Sequence, residues 1–185
     1  MQNIVFETVT VLENKGTVLY PTDTVWGIGC DATNYEAVKE VYKIKNREES
    51  KSLIILVDSI EMLGNYLKEV PKEALRFLNN VIKPTTVIYS GPINLAKNTV
   101  ASDNTIAIRI VQNEFCKKLI KEFGKPIVST SANVSGEPTP KSFSEISLAI
   151  VNNVDYVVNL HQDRIAEKSS TIVKIEDGNV LVIRE

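Results

Sequence analysis

Short runs of β-branched and other apolar residues alternate with amphipathic stretches along the whole chain, and this alternation constrains the fold more than any other feature. Such runs, bounded by Gly, Pro, Asn or Asp, are typical of strands, whereas apolar residues that recur every three or four positions are typical of helices. The pattern predicts strands at 16–21, 52–57, 85–90, 104–110, 126–131, 154–160, 170–175 and 179–185. It predicts helices at 34–45, 59–67, 71–82, 113–123 and 142–151.

The order of these elements favours an α/β domain, in which helices pack on the faces of a mixed parallel and antiparallel sheet. Only "EDG" separates the last two predicted strands, so we expect them to form an antiparallel hairpin. Pro71 suits the first turn of one helix, and Gly124 suits the end of another. A length of 185 residues without repeats or linkers predicts one domain over residues 1–185.

The charge balance and the cysteines limit the class of protein. The formal net charge is −2, so attraction to nucleic acid or to an anionic membrane would need a local basic patch. Residues 1–16 alternate apolar and polar side chains and lack the features of a signal peptide, and no run is long enough to cross a bilayer. Cys30 and Cys116 have no metal-ligand spacing. We therefore expect buried, reduced thiols in a cytoplasmic protein.

Several common kinds of catalytic or nucleotide site are disfavoured. His161 is the only histidine and lies in the polar stretch "NLHQDR", where we expect a solvated loop residue rather than a zinc ligand or a member of a Ser-His-Asp triad. "FGKP" has a proline where a Walker-type phosphate loop needs a hydroxyl, and "GIG" lacks the third glycine of a dinucleotide fingerprint.

Three polar segments carry the remaining candidates for chemistry. The first polar segment, "YPTDTVWGIGCDA" at 20–32, places threonines and glycines after a predicted strand. Such hydroxyls can contact a ligand, and glycines let backbone amides approach it. An ordinary turn at the end of a strand explains the same residues.

The basic segment, "YKIKNREESKSL" at 42–53, gathers Lys45, Arg47 and Lys51 between a predicted helix and a predicted strand. Three cations in that position can surround a polyphosphate. Cations are also common at the carboxyl ends of helices, where they offset the helix dipole in solvent.

The serine-rich segment, "PIVSTSANVSGEPTP" at 126–140, leaves the end of a predicted buried strand. Ligands of α/β proteins usually bind at strand ends, and its hydroxyls and the Asn133 amide can hold phosphate, ribose or amino-acid groups by neutral hydrogen bonds. A loop of this composition can equally satisfy its own backbone.

Together these segments resemble the YrdC-like family of threonylcarbamoyl-AMP synthases. The blocks "YPTDTVWGIGCDA", "IKNREESKSLIILV", "TIAIRI", "PIVSTSANVSGEPTP" and "STIVKI" occur in that family's order and spacing, and "STSANVSG" is close to a family signature. The match extends along nearly all of the 185 residues. Longer relatives carry a further carboxy-terminal domain, so the resemblance implies the short form of the family.

The resemblance implies an enzyme that combines L-threonine, bicarbonate and ATP, with Mg²⁺ assisting, to give threonylcarbamoyl-AMP and pyrophosphate. The product would serve the threonylcarbamoyl modification of the tRNA adenosine next to the anticodon, through partner transferase proteins. The implied fold is a twisted mixed sheet with helices packed on it and a basic concave cavity.

The resemblance also implies roles for individual residues. Those implied to bind ATP are Lys45, Arg47, Lys51, Thr105, Ser131, Asn133 and Arg184. Of these, the residues implied to act in catalysis are Lys45, Arg47, Ser131 and Asn133. Those implied to bind threonine are Thr22, Arg109, Ser129 and Ser170. No protein metal ligand is implied.

Three positions depart from the family pattern. Ser52 stands where the family often has proline, and "VIKPTT" keeps only Pro84 and Thr86 of a common "PGPxT" block. The sequence "LVD" at 56–58 stands where many relatives carry a histidine. These departures bear on threonine selectivity more than on ATP use.

Two alternatives remain open from the sequence. Relatives have been described as double-stranded RNA binders and as translation factors, and a basic cavity by itself fits a phosphate backbone as well as a triphosphate. The acids Glu48 and Glu49 lie between the cations of the basic segment and favour a compact pocket over an RNA-binding stripe. A diverged paralogue that keeps the ATP pocket is the third possibility.

Overall fold

The computed structural model describes residues 1–49, 53–166, 168–176 and 179–185. Its helices are α1 (Gln2–Glu13), α2 (Tyr35–Ile44), α3 (Ile60–Gly64), α4 (Lys72–Leu78), α5 (Glu114–Phe123) and α6 (Leu148–Val151). Its strands are β1 (Val18–Tyr20), β2 (Gly27–Gly29), β3 (Ile54–Val57), β4 (Thr85–Ser90), β5 (Thr105–Ile110), β6 (Ile127–Ser131), β7 (Tyr156–Val157), β8 (Thr171–Glu176) and β9 (Asn179–Arg184).

These strands form one mixed sheet in the order β7-β1-β2-β6-β3-β5-β4-β8-β9. The pairs β1–β7, β3–β5 and β4–β8 are parallel, and the other neighbouring pairs are antiparallel. The last two strands form the antiparallel hairpin that their spacing predicts. The α/β class with a mixed sheet is therefore confirmed.

Each face of the sheet packs against its own set of helices. On the first face, helices α2, α3, α4 and α6 bury side chains against alternate strand residues such as Ile55, Ile108 and Val128. On the second face, α1 and α5 pack over Val18 and Leu56, among other strand residues. Because side chains alternate along a strand, the two cores lie on opposite sides of the same strands.

Local capping sets the ends of the two helices that border the candidate site. Helix α2 begins after Asn34, whose side chain accepts a hydrogen bond from the Ala37 N–H at 3.0 Å. Helix α5 begins after Asn113, which accepts from the Cys116 N–H at 2.9 Å. Helix α5 ends at Gly124 in the left-handed region, with φ of 71°, a conformation that glycine adopts without steric cost.

The amino-terminal segment folds differently from its apparent polar–apolar alternation. Residues Gln2–Glu13 form helix α1, whose buried residues Val5, Val9 and Leu12 recur at helical spacing. Val5, Val9 and Leu12 lie in the core on the second face of the sheet. Burial of this stripe decides the structure, because it removes apolar surface from water that an exposed strand would leave hydrated.

Strand β2 lies inside the first polar segment, where the sequence pattern does not predict a strand. Glycines are unfavourable in strands, so "GIG" suggested only a loop. In the structure, a Cβ atom on Gly29 would lie 2.6 Å from the Tyr20 ring and 2.5 Å from the Val128 carbonyl oxygen. Strand β2 can form here because Gly29 has no side chain, which lets Tyr20 and Val128 pack closely against it.

Other predicted elements are present but shorter. The predicted helices at 59–67 and 71–82 are reduced to α3 and α4, and the strand at 154–160 is reduced to β7. The helix predicted at 142–151 divides into a 3-10 turn at Phe143–Glu145 and helix α6. Ile146 and Ser147 between them are extended, and the Ile146 side chain is buried in the core.

The cysteines and the histidine lie as expected. Cys30 and Cys116 are free and buried, and burial raises the pKa of both thiols, so they remain protonated. His161 is exposed in a loop. Among the helices of the described ranges, none is both long enough and apolar enough to span a membrane.

The second face of the sheet is open beyond helices α1 and α5. Strands β4 and β5 are interior strands with partners on both sides, yet Ile88 and Ala107 are only half-buried on this face. The pairing register puts Ser129 in line with Ile54 and Ala107, on the same face. By the same alternation, the side chains of Thr105, Arg109 and Ser131 also lie on this face.

Candidate active site

Lys45 joins the basic segment to the serine-rich segment. It follows the last turn of α2, and only 1% of the residue is exposed. Its ammonium donates hydrogen bonds to the carbonyl oxygens of Ser131 and, at 2.7 Å, of Asn133. The Ser135 N–H donates in return to the Lys45 carbonyl at 2.7 Å. Two segments that are remote in sequence therefore form one cluster.

The environment of Lys45 weakens its hold on a proton. Burial, and then the nearby charge of Arg47, lower the pKa of Lys45 to about 8. An ammonium has three donors, and two of them bind these carbonyls. Arg47 is half-buried and lines a second cavity of about 280 Å³ beside α2. Lys51, the third predicted cation, lies outside the described residues.

Asn133 shapes the loop that follows β6. Its amide nitrogen donates to the carbonyl oxygens of Val134, at 3.0 Å, and of Glu137, at 2.8 Å. Its amide oxygen is buried and has no hydrogen-bond partner in the described structure. That oxygen can accept a hydrogen bond from a bound molecule. Ser131, at the end of β6, is half-buried.

A buried ion pair lies in the first polar segment. Asp23 Oδ1 and Arg109 Nη2 are 3.0 Å apart, and their side chains are only 7% and 3% exposed. The other oxygen of Asp23 accepts a hydrogen bond from the Gln112 N–H at 3.1 Å. Asp23 also lines the largest cavity described below, so the ion pair adjoins space that a ligand can enter.

Threonine and serine hydroxyls lie in the first polar segment and beside it on β6. Thr22 is buried, donates to the Val25 carbonyl at 2.7 Å and lies 3.0 Å from the Thr24 hydroxyl. A Cβ atom on Gly27 would lie 3.1 Å from the Ser129 hydroxyl and 3.4 Å from the Thr22 methyl group. The missing side chain of Gly27 therefore brings Thr22 and Ser129 close to each other.

Ser170 completes this side of the site. Its hydroxyl is 2.9 Å from that of Thr86, which lies opposite Arg109 in the sheet. Arg184 donates to the Ser170 carbonyl at 2.9 Å, and burial followed by the nearby Arg109 charge lowers the pKa of Arg184. The four residues predicted to bind threonine are thus brought together with Arg184.

A cavity of about 650 Å³ opens beside this group. Asp23 and Thr24 line one side, and the starts of β4 and β8 line another. The cations Lys83, Arg164 and Lys168 also line it. Arg164 donates to the Thr22 carbonyl at 3.0 Å and so ties the loop after β7 to the first polar segment.

Thr105 and Arg184 lie apart from the Lys45 cluster. Thr105 begins β5, and its hydroxyl donates to Asp103 at 2.6 Å. The register places Thr105 and Ser131 at the same end of the sheet, because each lies two residues beyond a partner of Ile54. Arg184 contacts the Ser170 side instead. Their predicted roles at the nucleotide remain predictions.

The positions that depart from the family pattern lie in different parts of the structure. Pro84 lines the main cavity, and Thr86 pairs with Ser170. Leu56 is buried under helix α5 on the second face of the sheet. Ser52 lies outside the described residues.

Sequence patterns did not single out Asp23, Lys83, Arg164 or Lys168. Asp23 lies between two threonines of the first polar segment, and a lone acid there has no spacing that marks it. Arg164 lies in the stretch "NLHQDR", for which the sequence predicts only a solvated loop around His161. The tertiary structure brings these residues to one cavity from separate loops.

Comparison with known proteins assigns the family. The profile of the family Sua5_yciO_yrdC, described as telomere recombination, matches residues 10–185. A threonylcarbamoyl-AMP synthase of Pseudoalteromonas translucida is 34% identical over 166 residues, which cover 85% of this chain and 86% of that protein.

Two solved structures share the fold. The P. abyssi Sua5 structure complexed with L-threonine superposes with a TM-score of 0.86 at 25% identity, over 97% of this chain and 53% of that one. This chain therefore spans about half of that Sua5. The E. coli YciO structure superposes with a TM-score of 0.87 at 23% identity, over 100% of this chain and 90% of that one. With the profile match over 10–185, these similarities show that the chain belongs to the Sua5/YciO/YrdC family.

Proposed function

We propose that this chain is a threonylcarbamoyl-AMP synthase, a nucleotidyltransferase that uses L-threonine, bicarbonate and ATP. The threonine amine adds to the carbon of bicarbonate and water is lost, which gives a carbamate. A carbamate oxygen then attacks the α-phosphorus of ATP, and pyrophosphate leaves. The products are threonylcarbamoyl-AMP and pyrophosphate.

The observation that supports this proposal is that strand β6 joins two unlike polar clusters, because Ser129 and Ser131 lie two residues apart on it and on the same face of the sheet. One cluster combines Lys45 with Ser131 and Asn133, and the other combines Arg109 with Thr22 and other hydroxyls. Attack of a carbamate on a phosphate requires charge neutralisation and in-line positioning rather than a protein nucleophile. Cations, hydroxyls and amides are the groups that supply both.

The roles we propose follow this division. The residues proposed for ATP are Lys45, Arg47, Lys51, Thr105, Ser131, Asn133 and Arg184, and those proposed for threonine are Thr22, Arg109, Ser129 and Ser170. A guanidinium such as that of Arg109 matches the planar carboxylate of an amino acid. The cations of the basic segment would balance the charge of the leaving pyrophosphate.

The source of the magnesium ion is part of the proposal. Within the described residues, no group of three or more His, Cys, Asp or Glu side chains could hold a metal. Mg²⁺ commonly binds nucleotide phosphates and keeps several waters. We therefore propose that Mg²⁺ enters as part of the MgATP substrate.

The setting of the reaction is also a proposal. We propose a single YrdC-like domain over residues 1–185 with a basic concave cavity, acting in the cytoplasm. Its product would pass to transferase proteins that modify the tRNA adenosine next to the anticodon, and direct contact with RNA would be limited to local basic residues.

The first experiment incubates purified protein with MgATP, ¹³C-bicarbonate and L-threonine and follows pyrophosphate release. We expect release that depends on both threonine and bicarbonate, and one ¹³C atom in the adenylate product by mass spectrometry. Glu114→Gln serves as a control, because this acid is exposed on α5, where it pairs with Lys118 at 2.7 Å.

Three results would contradict the proposal in distinguishable ways. A folded protein that binds ATP without threonine-dependent release would be a diverged paralogue. A protein that binds double-stranded RNA steeply weakened by salt, and no ATP, would be an RNA-binding module. Pyrophosphate release that requires a different amino acid, and not threonine, would change the proposed substrate and leave the proposed reaction intact.

A further inference from the structure

We propose that Asp23 and Arg109 together recognise an α-amino acid as a zwitterion, with Asp23 as the counter-ion of its α-ammonium group. This inference rests on the proposed function and adds a specificity-determining residue to it. Asp23 distinguishes an α-amino acid from a carboxylic acid that lacks the amine.

The geometry of the ion pair suits such a ligand. Asp23 Oδ1 and Arg109 Nη2 are 3.0 Å apart, so opposite charges lie side by side in a buried setting. An α-amino acid carries its own opposite charges on groups attached to one carbon atom. When the two dipoles lie antiparallel, the ammonium meets Asp23 and the carboxylate meets Arg109.

The pair is incompletely satisfied as it stands. Arg109 Nε is buried and has no hydrogen-bond partner in the described structure, and the contact that Asp23 Oδ1 makes is its ion pair with Arg109 Nη2. Unsatisfied buried polar atoms are uncommon in native proteins and are costly, above all beside charges. Arg109 Nε can therefore donate to the carboxylate of an amino acid, and Asp23 Oδ1 can accept from its ammonium in addition to Arg109.

Asp23 is the member of the pair that lines a cavity, and Arg109 lies directly behind it. Asp23 and the neighbouring Thr24 line the cavity of about 650 Å³. Asp23 is fixed from behind, because its second oxygen accepts the Gln112 N–H at 3.1 Å. A carboxylate that is anchored at one oxygen and lines a cavity is preorganised for a cation.

A purely structural role for Asp23 makes a different prediction. The same contacts could serve only to fasten the first polar segment to the end of β5. In that case, the loss of the carboxylate charge would disturb every ligand of the site alike. Recognition of the zwitterion instead predicts an effect confined to ligands with an α-ammonium.

The test measures binding by calorimetry, without turnover, for three probes. The probes are L-threonine, 3-hydroxybutyrate, which lacks the α-ammonium, and L-threoninamide, which lacks the carboxylate. For the wild-type protein we expect L-threonine to bind at least about tenfold more tightly than either analogue. Asp23→Asn should weaken the binding of L-threonine and L-threoninamide by at least about tenfold, and the affinity for 3-hydroxybutyrate should stay within about twofold of the wild-type value.

Glu114→Gln removes an exposed carboxylate elsewhere and should leave all three affinities unchanged. ATP binding by Asp23→Asn checks that this variant is folded. The comparison of the three probes on the wild-type protein tests the inference even if the variant does not fold. Equal binding of threonine and 3-hydroxybutyrate, equal weakening of all probes, or no effect of Asp23→Asn would overturn the inference. Ammonium-dependent binding without pyrophosphate release would support it and contradict the synthase proposal.

Discussion

Lys45 shows how burial changes the behaviour of a single cation. Its ammonium lies in the interior and holds two backbone carbonyls of the serine-rich segment. Removal from water disfavours the charged form, and the like charge of Arg47 adds to this, so its pKa falls to about 8. A lysine at the end of a helix would otherwise keep its charge well above that pH.

The lowered pKa predicts a pH-dependent affinity for ATP. Lys45 of the free protein loses its proton as the pH rises through about 8. If ATP favours the charged form, the Kd for ATP rises by up to about tenfold per pH unit above that point. Calorimetric titration from about pH 6.5 to 9.5 measures this dependence.

Two variants sharpen the Lys45 prediction. Lys45→Arg keeps its charge over the whole range and should flatten the profile. Lys118→Met, which removes an exposed lysine of α5, should keep the wild-type profile. An equally pH-independent affinity in the wild type and in Lys45→Arg would show that the Lys45 charge does not reach ATP.

The contribution of Lys45 to stability changes with pH in the opposite direction to the affinity for ATP. Because the folded pKa of Lys45 lies below the unfolded value of 10.5, the unfolded chain binds more protons between these values. The contribution of Lys45 to the free energy of unfolding therefore increases as the pH rises from about 8 to 10.5. Weaker ATP binding above pH 8 would thus not be a sign of unfolding at this residue.

Asn133→Ala tests the serine-rich segment. The change removes two hydrogen bonds within the loop and the unpartnered amide oxygen. We expect kcat to fall by about tenfold to hundredfold, since a preorganised polar contact is lost. The matched control Asn153→Ala removes an exposed amide that donates to the Ala149 carbonyl. Equal activity of the two variants would exclude a role for Asn133.

At the scale of elements, strand β2 decides how closely the first polar segment approaches its neighbours. It pairs with β1 on one side and with β6 on the other. Its glycines leave space for the Tyr20 ring, the Thr22 methyl group and the Ser129 hydroxyl. The strand thus serves both the core and the site, although its composition is unfavourable for a strand.

Gly29→Ala should destabilise the protein by about 1–3 kcal/mol. The added Cβ atom would lie 2.5 Å from the Val128 carbonyl oxygen and 2.6 Å from the Tyr20 ring, so a backbone or a buried ring must move. Urea unfolding measures the loss. Gly64→Ala is the control, because its Cβ atom would meet nothing within 4 Å. A similar free energy of unfolding for both variants would contradict the close packing of β2.

Elements that are determined by neighbouring residues in the sequence were predicted more accurately than elements that depend on distant residues. Helices α2 and α5 agree with their predicted bounds within a residue or two, since each combines an Asn cap with a strong apolar face. Helix α1 and strand β2 were not predicted. Their structures depend on burial against distant residues, such as Phe115 for the α1 cluster and Val128 for β2.

At the scale of the whole molecule, the charge distribution favours the proposed enzyme over an RNA-binding module. The formal net charge is −2, and three cations, Lys83, Arg164 and Lys168, line one cavity together with the acids Asp23 and Glu185. A local cluster of cations suits a compact anion, whereas a duplex needs a longer positive surface.

We therefore expect double-stranded RNA to bind weakly and to leave ATP binding unchanged near physiological salt. A competition titration with a duplex of about 20 base pairs, a length exceeding the span of a typical double-stranded RNA-binding domain, measures this. Full displacement of ATP by RNA, with an affinity that falls steeply as salt increases, would instead favour the module.

The sequence by itself determined the α/β class, the family and the segments that carry the candidate site. Periodicity, capping residues and turn residues act over a few positions, and the family motifs are continuous stretches of chain. For the same reason, the motifs alone were enough to select Lys45, Ser131, Asn133 and Arg109 as candidates.

Only the tertiary structure decided which of these groups meet and what state they are in. The contacts of Lys45 with the serine-rich segment and of Asp23 with Arg109 each join residues more than eighty positions apart. The lowered pKa of Lys45 and the unsatisfied Nε of Arg109 arise from burial, which depends on the packing of the complete sheet. Proximity and burial are properties of the folded chain, and no local pattern encodes them.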